Sequence, residues 1–207
     1  MNFLKPDILF LYPTKCYSTT IKAVLQQVDS AIEIVDADYG KHITLGSAVR
    51  IIEAACGFVP LNLRVVVPLR EPHQRALSVY FSHMKPAFDD TAMSSKGVGL
   101  LDYFSSRINS LGYSTVDYAH YVDLDRYECI AIDASPERFL PSMASVAKEL
   151  GLALDLSGVQ KLNVSPAADV TVPRWELEYV VRKYYPASLA LYRRLVEGGG
   201  RSKPWRR

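Results

Sequence analysis

Cysteine is scarce in this 207-residue chain, which has three, Cys16, Cys56 and Cys129, with no C-x-x-C spacing among them. An odd, widely spaced set argues against a disulfide framework and a zinc site, and it favours a reducing compartment. Long apolar runs are also missing, since none approaches the roughly 20 residues of a membrane span. The apolar run Ile8–Tyr12 is too short for a signal peptide. We therefore expect a cytoplasmic protein with no membrane span and no metal site.

An excess of one charge sign is likewise absent, because the formal net charge is only +2. Nothing in this balance calls for a nucleic-acid or membrane partner. The length suits a single domain with a sizeable core, which we place at residues 1–197. The glycines at 198–200 open a basic tail, residues 198–207, which we interpret as solvated and disordered.

Apolar runs alternate with helical patterns along the chain. Strands are predicted at Ile8–Tyr12, Ile32–Val35, Leu63–Val67 and Cys129–Asp133, with Pro68 ending the third. Helices are predicted at about residues 18–28, 45–56, 72–84, 100–108, 136–150, 173–184 and 187–196. Residues 85–98 lack periodicity and predict a mobile loop or lid. This alternation predicts an α/β fold, a parallel sheet flanked by helices, whose ligands bind beyond the carboxyl ends of the strands.

The first motif is Pro13–Thr20, which joins a predicted strand to a predicted helix. Backbone N–H groups at a helix N-terminus attract anions, and Lys15 adds a full positive charge. Ser18, Thr19 and Thr20 supply hydroxyl donors, and Ser18 or Thr19 is also able to cap the helix. The segment has the architecture of a phosphate-binding loop, although the Walker A pattern is absent. The alternative interpretation is a capped helix preceded by a surface lysine.

The second motif is Arg70–Ser78, which again follows a strand directly. Arg70 at the strand end is free to grip an anion bidentately. Arg75 and Ser78 are three residues apart and share one helix face, so two guanidinium groups and a hydroxyl converge. The alternative is a helix start in which Glu71 pairs with Arg75, at about 0.2–0.5 kcal/mol, which leaves Arg70 and Ser78 unexplained.

Together the two motifs resemble those of sulfotransferases that use 3'-phosphoadenosine 5'-phosphosulfate (PAPS). In that family a PKxGGTS or PKSGTTW loop holds the 5'-phosphosulfate, and R-x-P-x-x-R-x-x-S holds the 3'-phosphate. Arg70–Ser78 matches the second signature at every defined position, and Tyr80 fits its common S-x-Y continuation. The first loop matches in its lysine and its threonine, but it has Tyr17 and Ser18 where glycines are common. Residues 128–150 and Asn163–Ser165 resemble the family more weakly.

The resemblance implies a P-loop-NTPase-like sulfotransferase fold and a metal-independent, in-line sulfuryl transfer from PAPS that leaves 3',5'-ADP. Lys15 would stabilise the bridging oxygen as 3',5'-ADP leaves. The hydroxyl groups of Ser18, Thr19 and Thr20 would hold the 5'-phosphate. Arg70 and Ser78 would grip the 3'-phosphate. The acceptor would be a carbohydrate or a small molecule with a hydroxyl group.

The acceptor also requires a general base, which in this family is a histidine or a carboxylate near the end of the second strand. His42 stands in that region and is our candidate, with an exposed loop histidine as the alternative. Glu53, on the next helix, is the carboxylate alternative. Asp36 and Asp38 are more simply turn residues.

Two other functions compete with sulfuryl transfer. A P-loop-like nucleoside or nucleotide kinase shares the fold class, but it needs a Walker lysine and a carboxylate for Mg²⁺, and neither is evident. A non-catalytic nucleotide-binding module is the other alternative, because glycines are missing from the first loop. Turnover of labelled PAPS would separate this module from an enzyme.

Overall fold

The sheet forms the centre of the computed structural model, which describes residues 1–4, 7–33, 42–111, 115–159, 171–199 and 201–202. The fold is α/β, and the strand order in the sheet is β3-β1-β2-β4-β5-β6. The strands are β1 (Asn2–Leu4), β2 (Ile8–Phe10), β3 (Ala31–Glu33), β4 (Arg64–Leu69), β5 (Glu128–Asp133) and β6 (Arg201–Ser202). The helices are α1 (Ser18–Leu25), α2 (Leu45–Cys56), α3 (Pro72–Ser82), α4 (Leu100–Leu111), α5 (Phe139–Glu149), α6 (Arg174–Tyr184) and α7 (Ser188–Tyr192). Short 3₁₀ turns occur at Pro86–Phe88 and Tyr118–His120, and a π-helical turn, Arg193–Glu197, continues α7.

The sheet is mixed, which corrects the expectation of a parallel sheet. Its central strands β2, β4 and β5 are parallel, whereas β1 runs antiparallel to both β2 and β3. The sequence missed β1 because a three-residue strand is too short to show a period. Since β1 opposes both of its neighbours, β3 points the same way as β2. The carboxyl ends of β2, β3, β4 and β5 therefore lie at one edge of the sheet.

Strand β4 continues through Pro68, where the sequence analysis predicted that it would end. Proline has no N–H to give to a neighbouring strand. The N–H groups of alternate strand residues point to the same side, so the nitrogen of Pro68 faces β2, as the main chain of Val66 does. The Val66 carbonyl accepts from Leu11 on that side, just after β2 has ended. No ladder hydrogen bond is lost, and β4 extends to Leu69.

Helices cover both faces of the sheet, as predicted. One face packs against α2, the 3₁₀ turn at Tyr118–His120 and the α7 region, and its buried residues include Leu9, Val65 and Val67. The opposite face packs against α1 and α5, and it includes Phe10 and Val66. Because successive strand residues alternate between faces, these neighbours fill two separate cores.

A third apolar cluster is formed by α3, α4 and α6. Its buried members include Val79, Tyr103, Phe104, Val180 and Tyr185. This cluster fixes α3, whose first turn follows the carboxyl end of β4.

The segment at residues 85–98, predicted to be a mobile loop or lid, is tied to α3. Buried Ser95 donates through Oγ to the Tyr80 carbonyl at 2.6 Å, and the Tyr80 hydroxyl donates to the Val98 carbonyl at 2.5 Å. Its N-terminal part forms the 3₁₀ turn Pro86–Phe88 and then a series of turns. The structure therefore supports the irregular conformation that the sequence predicts, with its C-terminal end anchored.

The basic tail departs from the prediction at Arg201–Ser202, which pairs antiparallel with β5. The outer edge of β5 offers unpaired backbone groups, and these two residues satisfy some of them. Within the part of the chain that the structure describes, none of the helices combines the length and the apolar character needed to cross a bilayer.

Candidate functional site

The loop between β2 and α1 has an unusual backbone. Lys15 and Tyr17 both lie in the left-handed region, with φ of 65° and 57°, and Cys16 stands between them. Turns with left-handed residues are the kind of backbone that forms a nest, a concavity lined by successive N–H groups that attracts anions. The nest leads directly into the N-terminus of α1, whose first turn carries no acidic residue. Backbone dipoles and the positive charge of Lys15 would both favour an anion at this position.

Tyr17 occupies a position where the sequence resemblance has glycine, and it takes the conformation that glycine favours. Its ring stacks on Phe139 at the start of α5, with ring centroids 4.3 Å apart and planes 10° apart. A stacked aromatic pair contributes about 0.5–1.5 kcal/mol, which offsets part of the cost of a left-handed tyrosine. The missing glycine therefore does not prevent the loop from forming a nest.

The three hydroxyl residues of the first motif begin α1. Ser18 and Thr20 are buried, and Thr19 is half-buried. Neither Ser18 nor Thr19 is the N-cap residue, which corrects the capping expectation. The N-cap is Tyr17, and its side chain makes no capping hydrogen bond.

Arg70 and Ser78 are placed by the junction of β4 and α3. Arg70 follows β4 directly and is half-buried, whereas Ser78 is a buried residue of α3. Helix α3 begins at Pro72, and the Glu71 side chain caps it by accepting from the Gln74 N–H at 2.9 Å. The buried Nε of Arg70 has no hydrogen-bond partner among the described residues. A buried guanidinium N–H without a partner at a strand end is a donor that a bound anion could satisfy.

The two motifs lie side by side at one edge of the sheet. Strands β2 and β4 are neighbours, so Lys15 and Arg70 follow adjacent carboxyl ends. Burial raises the pKa of the Tyr17 hydroxyl, and the positive charge of Arg70 opposes that rise. Arg70 therefore lies within electrostatic reach of the first loop.

Arg75 lies beneath the site and not on its surface. The side chain is fully buried, and its Nε donates to the Thr14 carbonyl at 3.0 Å. Its guanidinium carbon lies 4.8 Å from the ring centroid of Tyr118 and 4.9 Å from that of Tyr185. The predicted convergence of two guanidinium groups is therefore wrong for Arg75, which supports the first loop from inside.

The alternative pairing of Arg75 with Glu71 is also not observed. The Glu71 carboxylate instead bonds the Gln74 N–H and the His73 ring, while Arg75 turns inward to Thr14.

Tyr118 is a component of the site that the sequence analysis missed. Its hydroxyl accepts from the Arg70 N–H at 2.9 Å and donates to the Arg70 carbonyl at 2.6 Å. The same oxygen lies 3.4 Å from Cys16 Sγ. One fully buried side chain thus contacts both anion-binding segments. No local pattern marks it, because it lies far from both motifs in the sequence.

His42 is placed beside the first loop. Its Nδ1 lies 2.7 Å from the carbonyl oxygen of Tyr12, just beyond β2. Nδ1 must donate here, since a carbonyl only accepts, and the neutral ring then carries its lone pair on Nε2. The Tyr121 hydroxyl also reaches the His42 carbonyl at 3.4 Å. His42 is therefore fixed in the tautomer that lets Nε2 accept a proton.

Glu53, the alternative base, lies elsewhere. It is exposed on α2, where its negative charge acts on Tyr127. Burial raises the pKa of Tyr127, the charge of Arg126 opposes that rise, and the charges of Asp123 and Glu53 add to it. Tyr127 precedes β5, at the amino end of the strand. Glu53 is therefore near the opposite edge of the sheet from Lys15 and Arg70. Asp36, Asp38 and Asn163–Ser165 lie outside the described residues.

His83 is a second residue whose position was not foreseen. It is buried at the end of α3, its ring is hydrogen-bonded to the Tyr103 hydroxyl, and its ring centroid lies 4.6 Å from that of Phe88. Burial and, to a smaller extent, the charge of Lys15 together lower the pKa of His83 to about 4. The ring is thus neutral at neutral pH, within electrostatic reach of Lys15.

Neither a protein-family model nor a curated protein matches the chain. The geometry of the site alone therefore bears on its chemistry. Two segments that offer positive charge and N–H donors follow neighbouring parallel strands, and a histidine with an Nε2 lone pair stands beside one of them. Such an arrangement suits a ligand with two separated anionic groups and a reaction that removes a proton.

Proposed function

We propose that this protein is a PAPS-dependent sulfotransferase that transfers a sulfuryl group to a hydroxyl of a carbohydrate or small molecule. The observation that carries the proposal is the pairing of two anion-binding segments at the adjacent carboxyl ends of β2 and β4. One is the left-handed loop with Lys15, and the other consists of Arg70, just before α3, and Ser78 within α3. A nucleotide with a 3'-phosphate and a 5'-phosphosulfate presents two anionic groups on one small scaffold.

Each segment has a distinct binding role in this proposal. The backbone N–H groups of residues 15–18 and the hydroxyl groups of Ser18, Thr19 and Thr20 bind the 5'-phosphate. Arg70, with its unpartnered buried Nε, binds the 3'-phosphate together with Ser78. Charge-assisted hydrogen bonds to phosphate are about twice as strong as neutral ones, so Arg70 contributes most of the preference for a 3'-phosphate.

Two side chains act on the transfer itself. The bond between sulfur and the bridging oxygen of the 5'-phosphate breaks as the acceptor oxygen bonds to sulfur. Lys15 stabilises the negative charge that develops on the bridging oxygen, an interaction that strengthens in the transition state. His42 Nε2 accepts the acceptor proton, because its Nδ1–H is committed to the Tyr12 carbonyl. The products are 3',5'-ADP, the sulfated acceptor and a proton.

Thermal unfolding with nucleotides tests the donor specificity before any acceptor is known. We expect 3',5'-ADP to stabilise the protein without Mg²⁺ and to do so more than ATP or 5'-AMP. At 100 times its Kd, the ligand adds about 2.7 kcal/mol, which for a chain of this size raises Tm by about 5–10 °C. A shift with ATP equal to or larger than that with 3',5'-ADP would favour a kinase and refute the proposal.

A matched pair of arginine variants controls this experiment. Arg70→Ala should weaken 3',5'-ADP binding by about 2–5 kcal/mol, the usual cost of truncating a charge-paired contact. Arg50→Ala removes an exposed arginine of α2 whose Nη2 donates to the Ser47 hydroxyl, and it should leave the shift unchanged. Transfer of labelled sulfate from PAPS to a panel of sugars and phenols then separates an enzyme from a binding module.

A further inference from the structure

The hydroxyl of Tyr118 joins the two anion-binding segments through three contacts on one oxygen. It bonds both main-chain groups of Arg70, at 2.9 and 2.6 Å, and it lies 3.4 Å from Cys16 Sγ. Cys16 stands between the two left-handed residues of the nest. If the Arg70 main chain moves, the Tyr118 hydroxyl moves with it. That oxygen contacts Cys16, at the centre of the first loop.

Tyr118 is itself held firmly from its other side. The Asp117 carboxylate accepts from the Ala119 N–H and from the Ala187 N–H, each at 3.0 Å. The Ser188 hydroxyl accepts from the Tyr118 N–H at 3.2 Å. These bonds fix the backbone of the turn against the start of α7, and the Tyr118 side chain is fully buried. Because the Tyr118 ring is held in this way, a displacement at its hydroxyl group is passed on to the residues that contact it.

Arg75 provides a second connection between the same segments. It belongs to α3, and its Nε donates to the Thr14 carbonyl at 3.0 Å. Its guanidinium also lies over the Tyr118 ring. The remaining nitrogens, Nη1 and Nη2, have no hydrogen-bond partner among the described residues. The first loop, α3 and Tyr118 thus meet at one buried charge.

We propose that Tyr118 is a positioning residue that couples the two anion-binding segments, so that ordering of one segment by its phosphate pre-orders the other. The inference rests on the proposed function for the identity of the ligand. Ordering a loop costs conformational entropy, and a second group that binds an already ordered loop avoids that cost. A nucleotide that carries both phosphates then binds more tightly than the affinities of the two mononucleotides predict.

Titration calorimetry on two tyrosine variants tests the coupling. Tyr118→Phe removes the shared hydroxyl, and Tyr127→Phe is the matched control, because its buried hydroxyl has no hydrogen-bond partner among the described residues. The ligands are 3',5'-ADP, adenosine 3'-phosphate and 5'-AMP. We expect Tyr118→Phe to lose roughly tenfold in affinity for 3',5'-ADP, or about 1.4 kcal/mol, and less than twofold for each mononucleotide. The control should bind all three ligands as the parent does.

Other results would overturn the coupling. Equal losses for all three ligands would give Tyr118 a merely structural role, and no loss would remove its role altogether. If Tyr118→Phe does not fold, Cys16→Ala breaks the contact from its other end and should show the same selective loss. Should that variant bind all three ligands as the parent does, the coupling is refuted.

Amide hydrogen exchange separates this inference from the proposed function. If the parent binds none of the three nucleotides, the proposed function fails, and the coupling is then measured on the free protein. Tyr118→Phe should accelerate exchange both at Arg70 and at residues 15–18. Faster exchange at Arg70 alone would show that the two segments are independent and would refute the coupling.

Discussion

Replacing Tyr17 by glycine and by alanine separates the backbone of the first loop from the side chain that covers it. Both variants lose the ring and its stack on Phe139, so that loss cancels when the two are compared. They differ only in Cβ, at a position where φ is 57°. At an ordinary position glycine is less stable than alanine, and at Tyr17 we expect the opposite order.

The expected difference follows from two opposing contributions. A left-handed backbone costs an L-residue about 1–2 kcal/mol, which glycine avoids. Glycine also loses more conformational entropy on folding, which costs about 0.5–1 kcal/mol relative to alanine. The first contribution is larger, so Tyr17→Gly should be more stable than Tyr17→Ala by about 0.5–1 kcal/mol. Both should be less stable than the parent, because a stacked pair contributes about 0.5–1.5 kcal/mol beyond its buried area.

Urea unfolding measures this difference directly, since a change in midpoint at constant slope reports a change in stability. Gly46→Ala is the matched control, because Gly46 lies in α2 without a positive φ and has no atom within 4 Å of an added Cβ. That variant should gain about 0.5–1 kcal/mol. Gly57→Ala, at a φ of 79°, should instead lose stability.

One result would refute the reasoning about the loop. If Tyr17→Ala proves as stable as Tyr17→Gly while Gly46→Ala gains stability, residue 17 does not have a left-handed backbone. The nest at residues 15–17 would then be absent, and the first anion-binding segment would reduce to a helix N-terminus.

The remaining predictions concern Lys15, His42 and His83. Lys15→Ala should lower kcat about 10²–10³-fold and change the affinity for 3',5'-ADP much less, because its charge acts on the developing negative charge; steady-state kinetics and calorimetry measure the two effects, and an unchanged kcat contradicts the assignment. His42→Gln should lower kcat about 10²–10⁴-fold with little change in 3',5'-ADP affinity, whereas Glu53→Gln should be mild; the reverse order would make the base a carboxylate. The folded-state pKa of His83, about 4, lies below its unfolded value near 6.5. The unfolded state therefore binds the extra proton, and stability is lost as pH falls from about 6.5 to about 4, on the order of 3 kcal/mol from this group. Urea unfolding across that range should show a shallower loss for His83→Gln and the parent slope for His120→Gln.

Helices and strands were predicted correctly where the hydrophobic pattern extends over enough residues to show its period. The apolar run before Pro13 and the periodic stretch Leu45–Cys56 became β2 and α2. The three-residue strand Asn2–Leu4 carries too little pattern, and its position between β2 and β3 made the sheet mixed. Strand direction depends on such tertiary pairings, which a single sequence does not encode locally.

The charged residues of the candidate site could be predicted from the sequence, whereas the residues that hold them in place could not. Lys15 and Arg70 stand out because each follows an apolar run, which places it at the carboxyl edge of the sheet. Arg75 shares the helix of Ser78, but whether an arginine points outward or into the core depends on partners such as Thr14 and Tyr118. These partners come from segments far apart in the sequence, so no spacing within a motif reveals them.

The order of strands in the sheet also has a consequence for how the chain folds. The β1–β2 hairpin joins residues close together in sequence, but Ile8 pairs with Arg64, and Arg64 pairs with Glu128. Closing such long loops costs chain entropy before any contact rewards it, so these parallel pairings are intrinsically slow to form. The edge that carries Lys15 and Arg70 exists only after β2 and β4 have met. Refolding should therefore regain the proposed nucleotide binding in its slow phase, after the local helices have formed.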